Sequence, residues 1–406
     1  MMGISLKGNL LVGQSGGVTA VINSSLAGVI HEACEHGVID RVYGARHGIE
    51  GVLSQEFVDL EAFPPSQISG LRCTPGAALG SCRYKLRDSD YERIIDVFRA
   101  HNIRYFIYIG GNDSADTAHR VAQFAVECGH ELRVIAVPKT IDNDLPITDH
   151  CPGYGSAARF IALATMDAGL DTESMRRFDP VKIIETMGRN AGWLTAASAL
   201  GKRDDSQAPH LIYVPERPIS ADAFLRDVDD VYRRLGYVVV VVAETVRGQD
   251  GQHVGLIEDE SQTDSFGHPR VTATGQMLCS LVTQRLGLKA RWDKPGTIQR
   301  VSTACVSMVD EEEAYLTGRH AVKSAVAGAS DKMVILIREP GDDYQCRLEL
   351  ADLQDIANRE KVLPQEYINE EGNFVTDEFR KYACPLLGTP LPEHVRLDGL
   401  TVPRLL

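Results

Sequence analysis

Six runs of aliphatic and aromatic residues, at 9–12, 104–109, 132–137, 181–185, 210–214 and 237–243, end in glycine-bearing or polar turns and give way to helical patterns. Runs this apolar describe strands buried on both faces. Their alternation with helices predicts a mainly parallel, doubly wound α/β architecture. In such sheets ligands bind beyond the carboxyl ends of the strands, near helix N-termini. Weight therefore falls on the residues that follow each run.

At 406 residues the chain exceeds one simple core, so two domains are expected. The break is expected at 149–155, where Pro152 and two glycines interrupt a polar stretch. A further strand is expected at 333–338, followed by an acidic, proline-spotted tail in which no chemistry is recognised. A net charge of −14 argues against nucleic acid as a partner, because affinity there is dominated by phosphate neutralisation. No stretch reaches the roughly 20 apolar residues of a membrane span. The opening Met1-Met2-Gly3-Ile4-Ser5-Leu6-Lys7 lacks the apolar core of a secretory leader. Nine cysteines, scattered singly without CxxC pairs, point away from a disulfide framework or a zinc site and toward a reducing cytoplasm.

The densest chemistry follows the run at 132–137, in Pro138-Lys139-Thr140-Ile141-Asp142-Asn143-Asp144. Two carboxylates two positions apart on an extended segment project to one side. One can take a proton while the other helps hold a metal, with Lys139 neutralising an anionic group between them. The alternative is a solvated acidic turn. Gly13-Gln14-Ser15-Gly16-Gly17 lets backbone approach an anion closely, yet it matches neither GxxxxGK[ST] nor GxGxxG. Gly110-Gly111-Asn112-Asp113-Ser114 adds an amide and a carboxylate, either as helix cap or as functional group. Arg83-Tyr84-Lys85-Leu86-Arg87 is the local cationic exception in an acidic chain, or a solvated basic loop. Met187-Gly188-Arg189-Asn190 puts an arginine at an expected helix start, with the helix running to about residue 200. Glu244 closes the valine run, and Gln299-Arg300 follows Gly296-Thr297-Ile298.

Taken in order, these segments, with Leu79-Gly80-Ser81-Cys82-Arg83, resemble the phosphofructokinase family over about residues 10–330. The resemblance implies two Rossmann-like three-layer domains: a larger one over 1–155 on the phosphoryl-donor side and a smaller one over 156–305 on the sugar-phosphate side. A final segment, 306–406, would return to the larger domain and carry an extension. It implies phosphoryl transfer to the 1-hydroxyl of fructose 6-phosphate, with Mg²⁺ as cofactor, in a cytoplasmic homodimer or homotetramer. Asp113 and Lys139 resemble the pyrophosphate-dependent branch, since ATP users carry glycine at both places. A carboxylate where a nucleotide's α-phosphate would lie repels ATP, and like-charge juxtaposition costs several kcal/mol.

By that resemblance Asp142 is the base, and Asp144 beside it organises Mg²⁺ and the transferring group. Lys139 and Asp113 complete the catalytic set. Ser15, Gly16, Gly17, Arg83 and Lys139 hold pyrophosphate. Thr140, Ile141, Asp142, Met187, Gly188, Arg189, Glu244 and Arg300 hold the sugar phosphate, with Arg300 from the same or a neighbouring subunit. Asn112 stands where ATP enzymes carry a metal-associated aspartate, and its carbonyl is the second metal-ligand candidate. Pro180 replaces a phosphate-binding arginine, for which Arg176, Arg177 or Lys182 are substitutes. The alternatives are an ATP-dependent 6-phosphofructokinase, a non-catalytic regulatory subunit of the same fold, and a nicotinamide oxidoreductase. The last lacks its GxGxxG turn.

Overall fold

A computed structural model of the chain describes residues 6–254, 273–341 and 343–397, together with 402, 403 and 405. The residues 1–5 that open the supposed leaderless start lie outside these. The apolar runs form strands. The first sheet holds β1 (Gly8–Gln14), β2 (Ile39–Ala45), β3 (Phe57–Asp59), β4 (Ile103–Gly110) and β5 (Arg133–Pro138). The second sheet holds β6 (Val181–Thr186), β7 (Leu211–Tyr213), β8 (Val238–Ala243) and β9 (Ala290–Asp293). The chain then adds β10 (Lys332–Arg338) and β11 (Cys346–Asp352) to the first sheet, whose order is β11-β10-β5-β4-β1-β2-β3.

All pairings in the first sheet are parallel except the edge pairs β2–β3 and β10–β11. The strands β2, β3 and β9 and the antiparallel β11 lie outside the expected runs. The second sheet, ordered β7-β8-β6-β9, is parallel throughout. Burial explains the runs: Val134, Ile135, Ala136 and Val137 of β5 are each at most 1% exposed, and Val238 to Val242 of β8 are fully covered. Each buried valine or isoleucine among them contributes about 1.5–3 kcal/mol by leaving water. That holds a central strand in place without any help from alternation.

The winding sense reverses between β1 and β4 in the first sheet, and at β6 between β8 and β9 in the second. Reversal sends the helices that follow adjacent strands to opposite faces, leaving a crevice at their carboxyl ends. The helices Ile22–Ala33 and Asn112–Glu127 start beside the first crevice. The loops after β1, β4, β5, β6 and β8 are therefore the ones the sheets bring to bear on a ligand. Among the described residues no helix is long and apolar enough to cross a membrane.

Candidate active site

At the first crevice the turn after β1 is fastened by backbone. Ser15 N–H donates to Ile109 O at 2.9 Å, Gly16 N–H to Cys82 O at 3.1 Å, and Ser81 Oγ to Gly16 O at 2.6 Å. Gly16 has φ +76°, a conformation that side chains with a Cβ resist. The 79–83 segment is thus stitched to the glycine turn, and it carries exposed Arg83 to the rim.

Lys139 enters from the end of β5. It is 2% exposed, and its Nζ donates to Gly17 O at 2.6 Å. Arg300 arrives from the second half of the same chain, where a Cβ on Gly17 would lie 3.0 Å from one of its guanidinium nitrogens. Its Nε is buried without a hydrogen-bond partner. Burial, then the charge of Arg83, lowers its pKa. Burial likewise pulls Lys139 down to about 8, with Asp142 opposing and Arg300 and Arg189 reinforcing. The glycine turn, Lys139 and Arg300 therefore come together, with the charge of Arg83 felt there, and like charges so placed favour an anion between them.

Beyond Lys139 the chain does not stay extended, as the sequence spacing suggested. Asn143 adopts φ +55° and turns the loop between the two carboxylates. Its amide secures that conformation: Oδ1 accepts Cys151 N–H at 3.0 Å and Nδ2 donates to Tyr382 Oη at 2.9 Å. Asp142 N–H is held by Thr140 Oγ1 at 3.1 Å, with Ile141 buried behind. The Asp142 carboxylate lies 3.8 Å from Arg189 Nε. Burial raises its pKa, Arg189 opposing and Glu244 adding. Burial and then Asp142 push Asp144 up to about 6. A carboxylate whose proton affinity has been moved toward neutrality is suited to accept a proton at physiological pH.

The second sheet closes the other side. Met187 N–H is held by Gln299 Oε1 at 3.1 Å, and Glu244 N–H by Thr186 O at 3.0 Å. Gly188 has φ +144°, and a Cβ there would meet Ala191 O at 2.7 Å. Arg189 is not at a helix start: it sits in a turn with φ +51°, and the helix begins only at Trp193 (Trp193–Ala196). The turn frees the guanidinium to reach back to Asp142. Burial raises the pKa of Glu244, with Lys294 opposing. Glu185, unremarked in the sequence, is 1% exposed and pairs with Lys294 at 2.7 Å.

Three expected roles meet other geometry. Asp113 is exposed on the first turn of Asn112–Glu127, whereas Lys139 is buried and directed to Gly17, so the two act as separate charges and not as an ion pair. Asn112 is engaged through both polar atoms: Oδ1 accepts Asn358 N–H at 2.6 Å, and Nδ2 donates to Arg359 O. Pro180, Arg176, Arg177 and Lys182 lie at the amino end of β6, opposite the Met187-Gly188-Arg189 end, and Lys182 pairs with Asp293 at 2.7 Å. With a strand rise of about 3.3 Å per residue, none of these cations reaches this chain's own crevice.

Among the described residues no three His, Cys, Asp or Glu side chains are arranged to hold a metal. Asp142 and Asp144 offer hard carboxylate oxygens as a pair. Mg²⁺ is characteristically held by one or two carboxylates together with ligand phosphates, so this donor set fits it.

A buried ion network supports the loop from below. His150 lies 2.9 Å from Asp149 and 2.6 Å from Glu313, and Arg338 meets Asp149 at 3.0 Å. Burial opposes its charge, yet Glu313 and Asp149 raise its pKa to about 9. A histidine with a raised folded-state pKa contributes its stabilisation fully below about pH 6.5 and loses it as pH climbs through about 9. The shift corresponds to a contribution on the order of 3 kcal/mol. Thermal melts of the native chain should fall across that alkaline window, and His150→Gln should flatten the decline. A native Tm that holds steady from about pH 6.5 to 10 would contradict the linkage.

A profile of the family described as Phosphofructokinase matches residues 9–325. The chain is 42% identical over 387 residues to the pyrophosphate–fructose 6-phosphate 1-phosphotransferase of Halomonas elongata, covering 93% of this chain and 91% of that one. It is 42% identical over 400 residues to the protein of the same name from Xanthomonas campestris pv. campestris, covering 97% and 95%. Its fold superposes on the crystal structure of pyrophosphate-dependent phosphofructokinase from Nitrosospira multiformis with a TM-score of 0.87, at 41% identity over 98% of each chain.

Proposed function

The chain belongs to the phosphofructokinase family, and from that premise we propose that it is a pyrophosphate-dependent 6-phosphofructokinase. It transfers a phosphoryl group reversibly from pyrophosphate to the 1-hydroxyl of fructose 6-phosphate, giving fructose 1,6-bisphosphate and phosphate. The observation that carries the choice of donor is Lys139. Its ammonium is embedded in the floor of the glycine turn, 2.6 Å from Gly17 O and 3.3 Å from where a Gly16 Cβ would lie. A compact inorganic anion fits against that cation, and exposed Asp113 at the rim disfavours the extended polyphosphate of a nucleotide.

In this reading Asp142 accepts the proton of the sugar 1-hydroxyl. The oxygen forms its bond to the nearer phosphorus of pyrophosphate as the bridging P–O bond breaks, and phosphate leaves. Little covalent work falls to the protein, so placement and charge carry the catalysis. Lys139, Arg83 and the Ser15-Gly16-Gly17 backbone hold the donor. Arg189 keeps Asp142 ionised until it is needed and, with Thr140, Ile141, Met187, Gly188 and Glu244, orients the sugar. Asp144, with Asp142 beside it, would hold Mg²⁺, which would supply further charge neutralisation.

The reading includes work in the reducing cytoplasm, to which nine unpaired cysteines are suited, and a homodimer or homotetramer. The deciding assay follows phosphate release from purified protein, fructose 6-phosphate and Mg²⁺, with pyrophosphate or ATP supplied in parallel. Turnover with ATP and none with pyrophosphate would overturn the assignment. Arg300 provides a finer check. It stands between the donor turn and the base, beside Gly17 of its own chain and close enough to Asp142 to feel its charge. Arg300→Ala should raise KM for fructose 6-phosphate by about 10-fold, consistent with one lost charge-assisted contact. A larger rise in the KM for pyrophosphate would reassign it to the donor.

A further inference from the structure

The tail beyond β11 crosses the site. Asn358 N–H reaches Asn112 Oδ1, at the helix that follows β4. Glu360 accepts Asn190 Nδ2 at 3.3 Å, next to Arg189 on the second sheet's side. Leu363 N–H donates to Glu216 Oε1 at 2.8 Å, the same oxygen that takes Gly192 N–H at 2.8 Å. Residues 358–363 therefore strap the donor-side helix to the turn that carries Arg189.

Lys361 sits at the middle of the strap and grips the 142–149 loop at three carbonyls. Its N–H donates to Asp144 O at 2.7 Å. Its ammonium donates to Thr148 O at 3.0 Å and Asp149 O at 2.8 Å. Its carbonyl accepts Trp193 Nε1–H at 3.0 Å, and its Nζ lies 5.0 Å from the centre of the Trp193 ring. The loop needs such support, because Asn143 and Ile147 both hold left-handed φ, +55° and +69°. A cation spent on two backbone carbonyls is a tether.

We propose that Lys361 is a positioning residue for phosphoryl transfer, holding the 142–149 loop at the height where Asp142 meets Arg189. The proposal rests on the reading of Asp142 as base. A loop displaced by about 1 Å at the reacting atoms costs up to about 100-fold in rate with substrate binding largely kept.

The test uses the full chain with Lys361→Met. Turnover should fall about 10–100-fold while both KM values stay within about threefold. Lys361→Arg should restore most of the turnover. Amide hydrogen exchange over 143–149 should speed up by about 10-fold in the Met variant. Trp193→Phe removes one grip only, and it should lower turnover several-fold with KM unchanged. It serves if the Met variant does not fold. Unchanged turnover, a change in KM alone, or unchanged exchange at 143–149 would each overturn the proposal. If the native chain itself shows no pyrophosphate-dependent turnover, the functional reading fails separately, and hydrogen exchange alone decides the tether.

Discussion

Asp142→Asn lowers turnover by about 10²–10⁴-fold, the range that general-base catalysis supplies, while both KM values change little. The amide keeps the shape of the carboxylate and its hydrogen bond from backbone to Thr140 Oγ1, so the loop is undisturbed. What it loses is proton affinity. Burial has raised that affinity, and Arg189 at 3.8 Å holds it within a useful range. Steady-state kinetics with saturating fructose 6-phosphate and pyrophosphate check the result. A variant retaining more than about a tenth of native turnover would place the base elsewhere.

Lys139→Met costs about 10²–10³-fold in kcat/KM for pyrophosphate, the usual loss when a preorganised electrostatic partner of a transferring group is removed. The methionine fills much of the same space beside Gly16 and Gly17, so the glycine turn should keep its form. The pH profile supplies a second reading. Burial has drawn Lys139 down to about 8. Its ammonium, and with it donor binding, is present below that value and fades as pH rises through it. The alkaline limb of kcat/KM for pyrophosphate should therefore turn near pH 8 in the native enzyme. Lys139→Arg should carry that limb upward, beyond the range of the assay. Because Asp113 and Lys139 are not paired, Asp113→Gly and Lys139→Gly should act independently, their effects on the choice between ATP and pyrophosphate adding to within about 0.5 kcal/mol. A strong coupling in that double-mutant cycle would show that the two charges act as one.

The placing of many candidate site residues was legible because of the kind of sheet that carries them. A parallel strand buried on both faces reads as an apolar run, and the residue that ends the run is the one delivered to the crevice. Lys139 after β5, Ser15 after β1 and Glu244 after β8 were each found that way. The helices were legible by pattern, with ends misjudged by a few residues where a turn intervened, as between Arg189 and Trp193. The Asn143 turn was missed because an asparagine in the left-handed region depends on partners far along the chain. Here those are Tyr382 and Cys151.

The amino-acid sequence by itself determined the doubly buried central strands, the glycine turns and the inventory of cations and carboxylates at strand ends, because those follow from local polarity and chain geometry, whereas the less apolar strands β2, β3, β9 and β11 escaped it. Only the tertiary structure decided who meets whom. Arg300 stands beside Gly17, Asn112 is engaged with Asn358 and Arg359, and Lys361 holds the backbone of Asp144. No periodicity encodes such contacts, since they arise when sheets and straps far apart in the chain pack together and their buried polar groups must find partners.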